Sequence, residues 1–132
     1  MNQNSYIVIG FIILILMIGL YYYNMLDVKT EIFFAKIYNN NNSVSTNDWN
    51  NYLNSVVTPL FPEGLTMKES YGQAYDGQKI RYQSNFELMI THKNTSDHND
   101  NTLKIISEYR KLFPGAQVFM LKTYGFSTFY HN

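Results

Sequence analysis

The chain has 132 residues, ten basic and ten acidic side chains and a formal net charge of zero. That length fits one domain, or one domain plus an anchor. The absence of a basic stripe argues against a nucleic-acid partner. With no cysteine, a disulfide framework, a Cys-based zinc site and a Cys nucleophile are all excluded.

Residues 1–26 carry no charged side chain, and Tyr6 to Tyr23 reads Y-I-V-I-G-F-I-I-L-I-L-M-I-G-L-Y-Y-Y. Eighteen helical residues reach about 27 Å, close to the hydrocarbon thickness of a bilayer. Tyr6 at one end and Tyr21, Tyr22 and Tyr23 at the other match an interfacial aromatic belt. A cleaved signal peptide needs a positive n-region and a small-residue cleavage site, and neither is present. The expectation is an uncleaved single-span anchor over residues 1–26, with residues 6–23 in the bilayer and a soluble domain over 27–132. Lys29 and Lys36, offset by Asp27 and Glu31, leave the orientation of that domain open.

Val28 to Tyr38 is rich in β-branched and aromatic residues and reads as a strand. Ile32, Phe33, Phe34 and Ala35 are all apolar, which suits a central strand with both faces at least partly covered. Asn39 to Val44 reads as a loop. Ser45 or Thr46 then caps a helix, with Asp48 placed for a capping box. Trp49, Leu53, Val56, Val57 and Leu60 share one helical face, and a lone Trp in such a stripe reads as core.

The stretch T-P-L-F-P-E-G-L-T from Thr58 to Thr66 is a corner. Pro59 and Pro62 fix their own φ and push Thr58 and Phe61 out of the helical region, so the helix is predicted to stop near Val57. Gly64 permits a positive φ where the chain reverses. Leu60, Phe61 and Leu65 would plug the end of the core.

Leu65 to Tyr75 reads as a strand with a bulge or bend at Gly72. Asp76-Gly77 signals a hairpin. Lys79 to Thr91 alternates clearly: Ile80, Tyr82, Phe86, Leu88 and Ile90 on one side, Arg81, Gln83, Asn85 and Glu87 on the other. His92 to Asn101 reads as a polar loop. Thr102 to Phe113 is predicted as a helix burying Leu103, Ile106, Tyr109 and Phe113, stopped by Pro114-Gly115. Gln117 to Tyr130 would be a last strand, bent at Gly125, and the penultimate His131 would be frayed.

The order β-α-β-β-α-β, with right-handed crossovers, gives a ferredoxin-like α+β fold. Its antiparallel sheet would run 4-1-3-2, with both helices on one face and one transmembrane helix in front.

T-E-I-F-F at Thr30–Phe34, Trp49, T-P-L-F-P-E-G-L-T, the Gly72-Gln73 pair and Y-R-K-L-F-P-G-A-Q-V at Tyr109–Val118 together resemble domain-of-unknown-function family 3574, mostly small bacterial proteins, often exported or lipid-anchored. The match runs in order through most of residues 29 to 130. It departs from the family pattern at Leu60, where relatives have Arg, and at Ala74 and Tyr75, near which they have Trp. The resemblance supports the fold and implies no known reaction, cofactor or substrate.

No nucleophile elbow, P-loop or dinucleotide fingerprint is present. His92, Asp97, His98 and Asp100 cluster in the predicted loop, but a metal needs ligands held rigidly by supporting hydrogen bonds. Neither a metal nor a cofactor is therefore expected. Asn41 and Asn94 begin glycosylation sequons that matter only in a secretory lumen. The surface of interest is the sheet face away from the helices, with candidate binding residues Glu31, Phe33, Arg81, Asn85 and Glu87, and with Tyr71, Tyr75 and Tyr124 flanking.

The leading expectation is thus a membrane-displayed interaction module, homodimeric through that face or bound to another protein. The alternatives are a small-molecule enzyme or binding protein resembling dimeric α+β barrels, with Glu31, Arg81 and Glu87 at its site, and a structural component of a membrane or virion coat.

Overall fold

The computed structural model describes residues 3–39 and 41–128. Helix α1, Gln3–Met25, is followed after Leu26 by strand β1, Asp27–Ala35. Strands β2, Ile37–Tyr38, and β3, Asn42–Ser43, pair as a small separate hairpin. The first sheet strand therefore ends at Ala35 rather than Tyr38, and the expected Asn-rich loop contains a strand. Helix α2, Thr46–Tyr52, runs through a π-helical segment, Leu53–Val57, into a last turn, α3, Thr58–Leu60. Then come β4, Thr66–Tyr75, β5, Ile80–Lys93, helix α4, Ser96–Leu112, and β6, Val118–Gly125. The four long strands form one sheet in the order β4-β5-β1-β6, each neighbouring pair antiparallel.

The first soluble helix starts as the sequence dictates. Ser45 Oγ accepts from the Asp48 N–H at 3.1 Å, and the Ser45 N–H donates back to the Asp48 carboxylate at 3.3 Å, a complete capping box. Its end differs from expectation. Thr58 keeps helical angles, φ −59° and ψ −41°, although Pro59 follows. A proline ring collides with the carbonyl four residues back in a regular α-helix. The widened π turn over Leu53–Val57 lies where that collision would occur and relieves it, so the helix carries on to Leu60. Phe61, at φ −136° and ψ 68°, is where it stops. Gly64 takes the expected positive φ, +128°.

One face of the sheet carries the core. Val28, Ile32 and Phe34 of β1 and Phe86, Leu88 and Ile90 of β5 are buried against Trp49, Tyr52, Leu53 and Val57 on one side and Ile105 and Tyr109 on the other. Phe61 is buried at the corner, with Leu60 and Leu65 packed beside it, as the plug reading expects. Two buried tyrosines tie the layers together. Tyr52 donates to the Ile105 carbonyl at 2.7 Å and Tyr109 to the Ala35 carbonyl at 3.0 Å. Loss of solvent pushes both phenols well above the usual range.

Helix α4 corrects a second expectation. It begins about two turns before Thr102, because Thr95 is an N-cap whose Oγ1 accepts from the His98 N–H. Its buried stripe is Thr102, Ile105, Tyr109 and Phe113. Leu103 is exposed and Ile106 only partly covered, so the helix is rotated relative to the sequence reading. Gly72 makes no bulge, since the β4–β5 register passes through Gly72↔Gln83 unbroken. Strand β6 stops at Gly125, and the end of the expected strand, with His131, lies outside the described residues.

Candidate functional site: the uncovered sheet face

Residues paired across a strand share a face. In β1 the partners of Ile32 and Phe34 are Leu88 and Phe86, so the intervening Lys29, Glu31 and Phe33 point away from the helices. With them lie Asn85, Glu87 and Met89 of β5, Thr66, Lys68 and Ser70 of β4, and Phe119 and Leu121 of β6. The helices pack on the other side. The middle row reads Lys68, Glu87, Phe33, Phe119 across four strands.

Glu87 is only 5% exposed. The Lys68 ammonium lies 3.0 Å from its carboxylate. A second ion pair runs along β1, where Lys29 and Glu31 lie 3.1 Å apart on the same face. Toward β6 the face turns apolar. The Phe33 and Phe119 rings meet at 5.9 Å, and Phe119 and Leu121 remain 62% and 48% exposed. The face is thus neutral overall, with two ion pairs on one flank and an apolar strip on the other.

The structure brings Glu31, Phe33, Asn85 and Glu87 together as the sequence suggests. Arg81 keeps to the same face by register but stands farther out, at the hairpin end, where its Nε donates to the Asp76 carboxylate. Backbone N–H groups, that of Lys79 foremost, and this Arg81 contact hold the Asp76 carboxyl below the usual range. Tyr71 is opposite Ser84 and Tyr124 opposite Val28, so both lie on the helix side. Ile80 and Tyr82 occupy the helix-side face but project past the helices into solvent on the β4–β5 hairpin. Asn41 is exposed, whereas the Asn94 amide donates to the Tyr23 carbonyl at 3.2 Å.

Phe119, Leu121 and Lys68 join the face without a sequence signal that marks them. Val118 to Leu121 is apolar at every position, so alternation does not say which pair faces outward.

Where β1 ends, a cleft of about 650 Å³ opens between the hairpin and β6. Gln83, Asn85, Arg110 and Gln117 supply its polar groups, and Phe33 and Phe119 flank it. Among the described residues, its only ionisable lining residue is Arg110.

The histidine segment is not a loop. His92 is in β5 and His98 in the first turn of α4, and their rings stack at 5.5 Å. His92 is buried, its Nδ1 2.8 Å from the Lys93 carbonyl and its Nε2 2.9 Å from Thr30 Oγ1. The carbonyl can only accept, so Nδ1 carries the proton. Burial holds this imidazole below the usual histidine range. No group of three or more His, Asp or Glu side chains is gathered for a metal among the described residues.

A four-stranded antiparallel sheet with helices on one face, preceded by a long apolar helix, defines an α+β protein. Residues 29–129 match the family described as "Protein of unknown function (DUF3574)", and the chain belongs to that family. No curated protein sequence matches it. Among solved structures, a phage SAM lyase in complex with S-methyl-5'-thioadenosine is similar in fold, with a TM-score of 0.57 and 10% identity. The likeness covers 74% of this chain and 80% of that one.

Proposed function

We propose that this chain is a single-pass membrane protein whose ferredoxin-like domain is an interaction module, pairing with a second copy through the uncovered sheet face. With the two-residue strands set aside, the sheet order reads 4-1-3-2, which supports the ferredoxin-like arrangement. Ser5–Met25, with mean hydropathy 2.3 and none of it buried, supports the anchor.

The observation that carries the pairing is the exposed Phe119–Leu121 strip beside two internally matched ion pairs. A neutral face bearing both signs is suited to meet its own copy across a two-fold axis, where a single-sign face would repel itself.

The test uses the full chain in nanodiscs or mild detergent. Light scattering should give a dimer for the parent and a monomer for the Phe119→Asp/Leu121→Asp variant, with unchanged thermal melting. A strictly monomeric parent that cross-links to nothing would sink the pairing. Extraction of the chain from membranes by alkaline carbonate would sink the anchor.

A second reading takes the chain as a small-molecule binding protein or enzyme. The cleft beside Arg110 and the fold shared with the phage SAM lyase favour it. Calorimetric titration with S-methyl-5'-thioadenosine, on the parent and Arg110→Ala, tests it. No heat from the parent would remove this reading.

A further inference from the structure

The end of the domain nearest α1 is built differently from the rest of its surface. Only Leu26 separates α1 from β1. The last turn of α1 is also held by two contacts remote in sequence. Tyr23 meets the Tyr124 ring at 5.6 Å, and its carbonyl accepts from the Asn94 amide. Strand β6 runs antiparallel to β1 and so returns toward α1, with Gly125 opposite Asp27.

Beyond Gly125 the chain does not turn away. Asp27 accepts from both the Ser127 N–H, at 3.1 Å, and the Ser127 hydroxyl, at 2.5 Å. Asp27 also holds Lys93, at 2.7 Å. Phe126 is therefore fixed between Gly125, paired with Asp27 across the sheet, and Ser127, bonded to its carboxylate, one step past the end of the apolar helix. It is 76% exposed, and Tyr124 is 42% exposed. Together with Tyr23 and the exposed apolar surface of α1, Tyr124 and Phe126 make one continuous apolar patch, and a patch of that kind marks an interaction surface.

The 23 residues of α1 extend about 35 Å, longer than the roughly 30 Å hydrocarbon layer. A helix crossing that layer therefore puts Tyr21–Tyr23 at the headgroup level and Asp27 just outside it. Tyr124 and Phe126 then fall at the same depth.

We propose that this end of the domain, Tyr124 and Phe126 with Tyr23, is seated in the headgroup layer of the bilayer. The proposal rests on the anchor reading above. Its occupant is lipid, because the patch is continuous with the helix that the anchor reading places in lipid. Uncharged amphipathic insertion drives it, not headgroup charge. Lys93 is paired with Asp27, Lys122 lies 2.5 Å from the Asn99 side-chain oxygen, and the first turn of α4 presents Asp97.

The test uses the full chain reconstituted in phosphatidylcholine vesicles whose acyl chains are brominated near the headgroup. Trp49 is buried in the core and gives a constant background. Phe126→Trp adds an emission that should be blue-shifted and largely quenched by the bromines. Tyr75→Trp, at the far hairpin, should add a red-shifted emission that stays unquenched. If the chain floats with the vesicles through carbonate but the indole introduced by Phe126→Trp emits as in water, the seat is overturned and the anchor stands. If the chain leaves the vesicles, both fall.

Discussion

Trp49 lies flat on Phe86, ring centroids 4.5 Å apart and planes within 1° of parallel, and the Lys36 ammonium sits 4.2 Å from the centre of the same Phe86 ring. This stack joins the first soluble helix to the longest strand of the sheet, with Phe34, Tyr52 and Tyr109 closing round the indole. Trp49→Ala leaves a void that these rings cannot fill without moving. The expected loss is about 3–5 kcal/mol of folding stability, read from urea midpoints. A loss under about 1 kcal/mol would mean that the indole is not the centre of the core.

Stability should fall on mild acidification through His92. In the folded chain this imidazole is held neutral. Burial acts first, then the neighbouring His98 and Lys122, against opposing pulls from the Lys93 carbonyl and Asp27. The unfolded chain takes up its proton near pH 6.5, before the folded one does. The unfolded state then holds the extra proton, so stability is complete above that pH and drains away as pH falls toward the lower folded value. Urea midpoints measured from about pH 7.5 down to about 5.5 should decline for the parent. They should decline less for His92→Gln, and equal slopes would refute the assignment.

Two glycines should respond in opposite ways. Gly115 has φ +82°, and a Cβ there would meet Asn39 Oδ1 at 3.3 Å. Gly115→Ala should cost about 1–2 kcal/mol from the left-handed backbone alone. Gly72 lies in regular strand, and its nearest obstacle is Asn85 Nδ2 at 3.7 Å. Gly72→Ala should be neutral or stabilising by about 0.5–1 kcal/mol, because alanine suits a strand interior better. Thermal melts of the two variants separate these outcomes.

Thr95→Ala removes the cap of α4 and should cost about 1 kcal/mol. The loss is local. Hydrogen exchange at the His98 and Asn99 amides should accelerate while that at Ile105 and Tyr109 holds. Uniform acceleration along α4 would show that the helix has no separate first turn.

Much of this architecture is written in short-range signals. Ser45 with Asp48, Gly64, and the alternation from Phe86 to Ile90 each carry a local physical preference, and each holds in the structure. The failures share a cause as well. Asn99, Asp100 and Asn101 are poor helix formers, so propensity hides the start of α4, although Thr95 has the chemistry of a cap. Tyr52, three residues past Trp49, shares the apolar face although asparagines flank it, and its buried hydroxyl is satisfied by the Ile105 carbonyl. Pro59 reads as a stop because a π turn has no sequence signature of its own. At the candidate site, Phe33 and Glu87 are legible from alternation. So is the face of Arg81, but its pairing with Asp76, five residues away around a turn, is not.

A single residue, Leu26, is the entire joint between α1 and β1, and it leaves no slack. If α1 spans a membrane, the sheet moves like a blade fixed to a shaft, turning whenever the shaft turns and unable to swing out on a leash. The 14 residues of β5, from Lys93 beside Asp27 to Ile80 at the hairpin, rise about 46 Å, so whatever the blade touches must come within that height of the lipid. Splicing a few glycines and serines between Met25 and Asp27 would lengthen that reach and uncouple the rotation.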